Sequence, residues 1–256
     1  MTPERFAPLS PDDAAYLLGE AERFEPDWLL VLPYVPTEVR GAWLALLGFF
    51  AEALTIPDRV SNPMLGAIRL AWWREAVGEV YGEGVPRKHP VVLALTATVS
   101  ERPAIRPFLE NALGAIEPFL EPGDDTDLEA AISRRVSLYG AIAGAFGVLD
   151  GSDNPGGEAL TYHALAKVTA DPSAAATAEG PEPMARRFAR ALAAKPDLAF
   201  SLNERILAFR RESGKGQPLA ALPFALVRSR RRHAQRALNP LLQRLLVFKA
   251  VLTGSY

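Results

Sequence analysis

The spacing of apolar residues in this chain restricts it to a helical fold. Downstream of Asn62-Pro63, apolar residues recur every three or four positions, the repeat of one face of an α-helix. They are Leu65, Ile68, Trp72, Ala76 and Val80. No stretch shows the sustained two-residue alternation of a half-buried strand. The sequence therefore predicts an all-α helical bundle, with this stripe facing its core.

The starts of the helices are marked by capping residues and prolines. Ser10-Pro11-Asp12-Asp13 supplies an N-cap, a proline in the first turn and carboxylates beside it. Asn62-Pro63 repeats this arrangement, and Thr126 with Glu129 forms a capping box. Residues 32–36, punctuated by two prolines, are predicted to be extended. The predicted helices cover 14–24, 37–53, 63–80, 91–100, 105–120, 128–149, 184–194, 197–212, 218–238 and a last one after Asn239-Pro240.

Length and composition predict one soluble domain over residues 1–256, with a mobile connection at 170–183, where Ala, Pro, Gly and Ser dominate. The chain has no Cys, which excludes disulfides, thiolate metal sites and cysteine nucleophiles, and is compatible with a reducing compartment. The longest uncharged apolar runs, 41–51 and 138–149, are too short to span a bilayer. The expected location is cytoplasmic. Peripheral association with the inner face of a membrane is the further option.

Charge is distributed unevenly along the chain. Residues 181–256 contain 15 Lys/Arg and 4 Asp/Glu, whereas residues 1–180 contain 13 and 26. The densest basic cluster consists of Arg228, Arg230, Arg231, Arg232 and Arg236. It is a candidate surface for anionic lipid or an acidic protein partner, and pairing with the acidic half is the alternative. Nucleic acid is not a predicted partner, because no aromatic residues are interleaved with these arginines and the pI is near 6.0.

Two segments resemble the squalene/phytoene synthase family. One is Ala45 to Leu54 followed by Asp58 and by Gly66-x-x-Arg69-x-x-Trp72-Trp73-Arg74-Glu75, and the other is the glycine-rich Tyr139 to Gly147. The resemblance implies a prenyl-synthase-like bundle with a deep apolar cavity between its helices, in which an isoprenoid could bind. The cavity or ligand-binding candidates are Glu52, Asp58, Arg69, Trp72, Arg74, Glu75 and Tyr139.

Both aspartate-rich motifs that the family uses to hold Mg²⁺ and diphosphate are degraded in this chain. The leading acidic positions of the first fall on Leu54 and Thr55, which leaves Asp58. The positions of the second fall on Thr161, Ala164, Lys167 and Val168. Because a diphosphate needs metal-bridging carboxylates on facing helices, we expect no catalytic residue, metal or cofactor.

The leading hypothesis is a non-catalytic protein that acts by binding. Asp58-x-Val60-Ser61-x-Pro63-x-x-Gly66-x-x-Arg69 is similar to the divergent branch that includes a mitochondrial complex I assembly factor. The resemblance implies a protein partner and a role in assembling a respiratory membrane complex. One alternative is a divergent Mg²⁺-dependent prenyltransferase that recruits Glu52, Asp58 or Glu75 to the metal, and a second is a peripheral membrane module.

Several of these residues also have structural interpretations. Trp72 lies on the predicted core stripe, and Arg69 and Arg74 could pair with Glu75, Glu52 or Asp58. The aspartates at 124, 125 and 127 are explained by helix-start electrostatics, and the glycines at 140 and 144 by close helix packing. The histidines at 89, 163 and 233 lack metal-ligand spacing and receive no role.

Overall fold

The protein is an all-α bundle. The computed structural model describes residues 8–24, 26–60, 62–121, 127–152, 161, 165, 197, 202, 204 and 240–253. Its helices are α1 (Pro11–Phe24), α2 (Pro26–Leu29), α3 (Thr37–Leu54), α4 (Ile56–Arg59), α5 (Pro63–Val80), α6 (Pro90–Val99), α7 (Arg106–Ile116), α8 (Leu128–Asp150) and α9 (Pro240–Thr253). No strand occurs within these ranges, so the predicted fold class is confirmed for this part of the chain.

The predicted helix starts are largely confirmed. Ser10 Oγ accepts a hydrogen bond from the Asp13 amide at 3.1 Å, and Asn62 Oδ1 accepts one from the Met64 amide at 2.8 Å. The N-cap of α8 is Asp127, one residue later than the capping box predicts, and its Oδ1 accepts from the Ala130 amide at 3.1 Å. Each cap satisfies a first-turn amide that has no partner within its own helix.

Two proline-containing segments contain helical turns that the sequence did not predict. Residues 32–34 form a turn of 3₁₀-helix in place of extended chain, which the φ of Pro33 permits. Helix α3 ends at Leu54, and after Thr55 the chain turns into the short α4, with Pro57 in its first turn. Asp58 therefore lies in a separate helical turn and not on α3.

Helix α3 is the centre of the core. Every residue from Gly41 to Ala51 is buried, since α1, α6 and α8 pack around the helix. Trp43, Phe50 and Trp28 surround Phe146 of α8, with ring centroids 4.2, 5.8 and 5.0 Å from its ring. The long uncharged run of the sequence is thus a fully covered core helix, as predicted.

The predicted core face of α5 is wrong over its first three turns. Leu65 is 50% and Ile68 60% exposed, whereas Leu70 and Trp73 are buried. Helices α6 and α7 pack against the side of α5 that carries these buried residues. Because both sides of α5 are apolar, the three-to-four-residue spacing of its apolar residues does not identify which side is buried. Trp72, at 36% exposed, is not a core residue.

The two glycines of α8 differ in their surroundings. A Cβ on Gly144 would lie 2.2 Å from Phe108 Cε1, so α7 approaches α8 closely at this point. A Cβ on Gly140 would meet no atom of the described residues within 4 Å. The interpretation of close helix packing therefore holds for Gly144, whereas no described element packs closely on Gly140.

Helix α8 ends on a carboxylate that is partly buried. Asp150 Oδ1 accepts a hydrogen bond from Trp43 Nε1 at 3.0 Å, and its buried Oδ2 accepts none from the described residues. Burial raises the pKa of Asp150 above its ordinary 3.8, and the bond from Trp43 offsets part of this. The negative end of the helix dipole also disfavours a charge at this position.

Replacing Asp150 by asparagine is expected to flatten the acid limb of the stability profile. A raised folded-state pKa means that the contribution of Asp150 is complete below 3.8 and is lost as the pH rises through the raised value. The asparagine side chain keeps an acceptor for Trp43 and removes the charge. In thermal denaturation between pH 4 and pH 7, the free energy of unfolding of the variant should rise relative to that of the natural chain as the pH increases. The gain should reach no more than about 1 kcal/mol, because solvent screens the exposed part of the carboxylate. A constant difference over that range would contradict this account.

Some predicted features lie outside the described residues. They are the connection at 170–183, the predicted helix at 184–194, nearly all of the helices at 197–212 and 218–238, and the basic cluster Arg228, Arg230, Arg231, Arg232 and Arg236. Among the described helices, none combines the length and the apolar content needed to cross a bilayer.

Candidate functional site

Glu52, in the last turn of α3, lies at the centre of a polar cluster. Its side chain is 12% exposed. Oε1 accepts a hydrogen bond from the Tyr16 hydroxyl of α1 at 2.7 Å, and Oε2 lies 3.7 Å from His89 Nε2 at the start of α6. The carboxylate thus joins three separate helices.

Tyr16 is held in its protonated form. Partial burial raises the pKa of its hydroxyl, and the hydrogen bond to Glu52 and the negative charges of Glu52 and Glu20 raise it further. Arg59, which lies 3.4 Å from Glu20, opposes this shift. The Tyr16 hydroxyl therefore acts as a donor to Glu52 across the ordinary pH range.

His89 is enclosed by aromatic rings. Its ring lies edge-on to Tyr16, Trp72 and Trp73, with centroid distances of 6.2, 5.4 and 5.5 Å. Its Nδ1 is buried and has no hydrogen-bond partner among the described residues. We refer to Tyr16, Glu52, Trp72, Trp73 and His89 as the His89 cluster.

The outer side of the cluster is covered by Arg87. Its guanidinium lies 4.5 Å from the Trp72 ring centroid, and Nη1 donates to the Trp72 carbonyl at 3.1 Å. The same guanidinium binds Glu79 and Glu75, and the hydrogen bond from Arg87 lowers the pKa of Glu79. Arg87 thereby ties the loop after α5 back onto that helix.

The structure brings only some of the predicted cavity residues together. Glu52 and Trp72 both contact His89. Glu75 is 72% exposed and pairs with Arg87 at the surface. Asp58 lies on α4, and Tyr139 packs partly buried on α8, an element that contributes nothing to the cluster.

The predicted partners of the two α5 arginines are wrong. Arg74 binds Glu117 at 2.7 Å, because positions 74 and 75 lie about 100° apart around the helix and Glu75 turns towards Arg87. Arg69 is exposed and makes no ion pair with Glu52, Asp58 or any other described residue.

Sequence reasoning missed three residues of this site, namely Tyr16, Arg87 and His89. Their partners lie far along the chain: Tyr16 and Glu52 are 36 residues apart. The only local signal was His89-Pro90, an extended residue followed by a proline in the first turn of α6. It locates a helix start but does not identify the carboxylate that faces the imidazole.

The described residues do not form a carboxylate cage. No group of three or more His, Asp or Glu side chains is arranged there to share a metal ion. A groove of about 680 Å³ lies between α7 and α8. It is lined by both polar and apolar residues, including Glu110, Asn111, Ser133 and Ser137, and by none of the seven predicted cavity residues. What the His89 cluster offers chemically is hydrogen bonding and aromatic packing around one carboxylate.

Comparison with known proteins supports the resemblance over part of the chain. Residues 22–131, which are 110 of the 256, match the family model described as squalene/phytoene synthase. This range includes Glu52, the Arg-x-x-Trp-Trp-Arg segment and His89. No curated protein and no solved structure matches the chain.

Proposed function

We propose that this chain is a divergent member of the squalene/phytoene synthase family that acts by binding, and that it serves in the assembly of a respiratory membrane complex. The family assignment is supported by the match over residues 22–131. The similarity of residues 58–69 to the assembly-factor branch motivates the role. The proposed partner is a protein of such a complex, at the inner face of a membrane, and an isoprenoid is the alternative ligand.

The observation that carries the non-catalytic proposal is the bonding of Glu52. A carboxylate that holds Mg²⁺ for a diphosphate must present its oxygens to the ion. One oxygen of Glu52 accepts from Tyr16 and the other faces His89. Glu75 lies at the surface, and no three His, Asp or Glu side chains of the described residues, Glu52, Asp58 and Glu75 included, are grouped to share an ion. Metal binding would require this cluster to be rebuilt.

The sequence on the other side of the expected cavity supports the same proposal. Residues 161–168 contain no Asp or Glu. Thr161, which occupies the first position of the second motif, is fully buried. The family's chemistry depends on carboxylates from both motifs.

Titration with farnesyl diphosphate separates the binding protein from the enzyme. In calorimetry with and without Mg²⁺, we expect no Mg²⁺-dependent binding, and product analysis of the same mixtures should show no pyrophosphate release. Glu52→Gln is the matched control, because glutamine can still accept from Tyr16 but is a far weaker ligand for Mg²⁺. Mg²⁺-dependent binding with turnover that Glu52→Gln abolishes would establish the prenyltransferase alternative and contradict the proposal.

The assembly role has its own test. In a respiring host from which the chain is deleted, NADH oxidation by isolated membranes should fall, and expression of either the natural chain or Glu52→Gln should restore it. Unchanged complex I activity after deletion would contradict the assembly role and leave the non-catalytic proposal standing.

A further inference from the structure

The first three turns of α5 carry a row of exposed apolar side chains. Met64 is 70%, Leu65 50%, Ile68 60% and Trp72 36% exposed. Residues 64, 68 and 72 follow one another at a spacing of four, so they lie in a line along the helix. We call Met64, Leu65, Ile68 and Trp72 the α5 ridge.

This part of α5 is apolar on every side. Between Pro63 and Trp72 the single charged residue is Arg69. A helix of that composition is normally covered all round, by protein or by lipid. Helices α6 and α7 cover one side of α5, and the ridge on the other side is exposed. Contiguous exposed apolar surface of this kind usually marks a site of interaction.

The charges close to the ridge favour an anionic occupant. Arg69 and Lys88 are exposed, and neither forms an ion pair with a described residue. The carboxylates of Glu75 and Glu79 are both bound to Arg87. Within α5 and the loop at 81–89, the charged side chains that lack a counter-charge among the described residues are therefore the cations Arg69 and Lys88.

A second copy of the chain does not complement this surface well. If two ridges paired through residues 63–72, each Arg69 would face a segment that contains no carboxylate. A bilayer surface requires no matching groove: apolar side chains enter the boundary between headgroups and acyl chains, and the cation meets phosphate. Trp72 has the amphipathic ring that is common at this depth.

We propose that the α5 ridge docks on an anionic membrane surface, with its apolar side chains inserted and Arg69 at the lipid phosphates. The surface is independent of the proposed function, because a catalytic prenyltransferase could dock in the same way. It also differs from the predicted basic cluster at 228–236, so the two surfaces can be tested separately.

Tryptophan fluorescence reports on the ridge directly. Of the four tryptophans, Trp28, Trp43 and Trp73 are buried and Trp72 is exposed. With vesicles of phosphatidylcholine and phosphatidylglycerol, we expect co-sedimentation, a blue shift of the emission, and quenching by brominated acyl chains. Trp72→Phe should abolish the shift, and vesicles of phosphatidylcholine alone should bind much less.

Charge substitution on the ridge provides the quantitative test. Leu65→Glu combined with Ile68→Glu should weaken partitioning by roughly tenfold or more, and Arg69→Glu should weaken it on the anionic vesicles. Val136→Glu is the matched control, since Val136 is an apolar residue of α8 that is 41% exposed. All of these positions are exposed, so circular dichroism should show unchanged melting.

Three results would overturn the proposal. The first is the absence of vesicle binding by the natural chain. The second is binding that survives the ridge variants and is lost when Arg230, Arg231 and Arg232 are changed to Glu, which would move the lipid contact to the basic cluster. The third is a dimer in light scattering that the ridge variants dissociate without any vesicle binding, which would make the ridge a protein interface.

Discussion

Replacing Phe146 by alanine is expected to lower the free energy of unfolding by about 3–5 kcal/mol. The Phe146 ring is fully buried, and the rings of Trp28, Trp43 and Phe50 surround it at centroid distances between 4.2 and 5.8 Å. Truncation removes the apolar transfer energy of the ring and leaves a cavity between rigid aromatic groups that cannot collapse to fill it.

Denaturant titration measures this loss. A typical domain has only about 5–15 kcal/mol of stability, so the variant should unfold at a much lower urea concentration or be unfolded already in buffer. Val136→Ala, on the exposed side of the same helix, should change the free energy of unfolding by less than about 1 kcal/mol. A loss at Phe146 no greater than that of this control would mean that the aromatic cluster does not hold α8 to the core.

The two glycines of α8 are expected to respond to alanine in opposite directions. Gly140→Ala adds a methyl group where no described residue lies within 4 Å, and should stabilise the chain by up to about 1 kcal/mol through helix propensity. Gly144→Ala places its Cβ 2.2, 2.4 and 2.9 Å from three atoms of the Phe108 ring. The ring must be displaced. We expect the free energy of unfolding to fall by about 1–2 kcal/mol, after allowing for the higher helix propensity of alanine.

A double-mutant cycle identifies the cause. If the loss at Gly144 arises from the Phe108 ring, Gly144→Ala should be neutral or stabilising when it is made in a Phe108→Ala background. Chemical denaturation of the four chains of the cycle gives the coupling energy. Equal destabilisation by Gly144→Ala in both backgrounds would show that Phe108 is not the obstacle.

The elements of this fold were predictable because their signals are local. Ser10, Asn62 and the prolines that follow them mark helix starts within a few residues. The long uncharged run at 41–51 predicted a core helix, and every one of its residues is buried. Capping and burial of this kind depend on the near sequence and on composition.

The orientation of α5 was not predictable from its sequence. Leu65, Ile68 and Trp72 have helical spacing, but Gly66, Leu70 and Trp73 have it as well. The packing of neighbouring elements, α6 and α7 among them, makes the second set the buried one. The helix has two apolar sides, so the period that identifies it as a helix cannot determine which side is covered.

The candidate site shows the same limit. Glu52 was identified because it lies in the segment that resembles the family, but its partners come from α1 and from the start of α6. The sequence predicts no role for His89, because the three histidines are scattered along it without metal-ligand spacing. Contacts between separate helices follow from tertiary packing, which spacing along the chain does not encode.

The burial of α3 on all sides affects the order of events during synthesis. The hydrogen bond between Trp43 and Asp150 joins residues 107 positions apart, and Phe146 covers the same tryptophan. A ribosome that adds about 5–20 residues per second needs roughly 5–20 s to make the missing segment. During that interval the eleven uncharged residues of α3 have no partner from α8. We therefore expect chains truncated before α8 to aggregate or to be retained by chaperones, and the domain to become protease-resistant only after α8 has emerged.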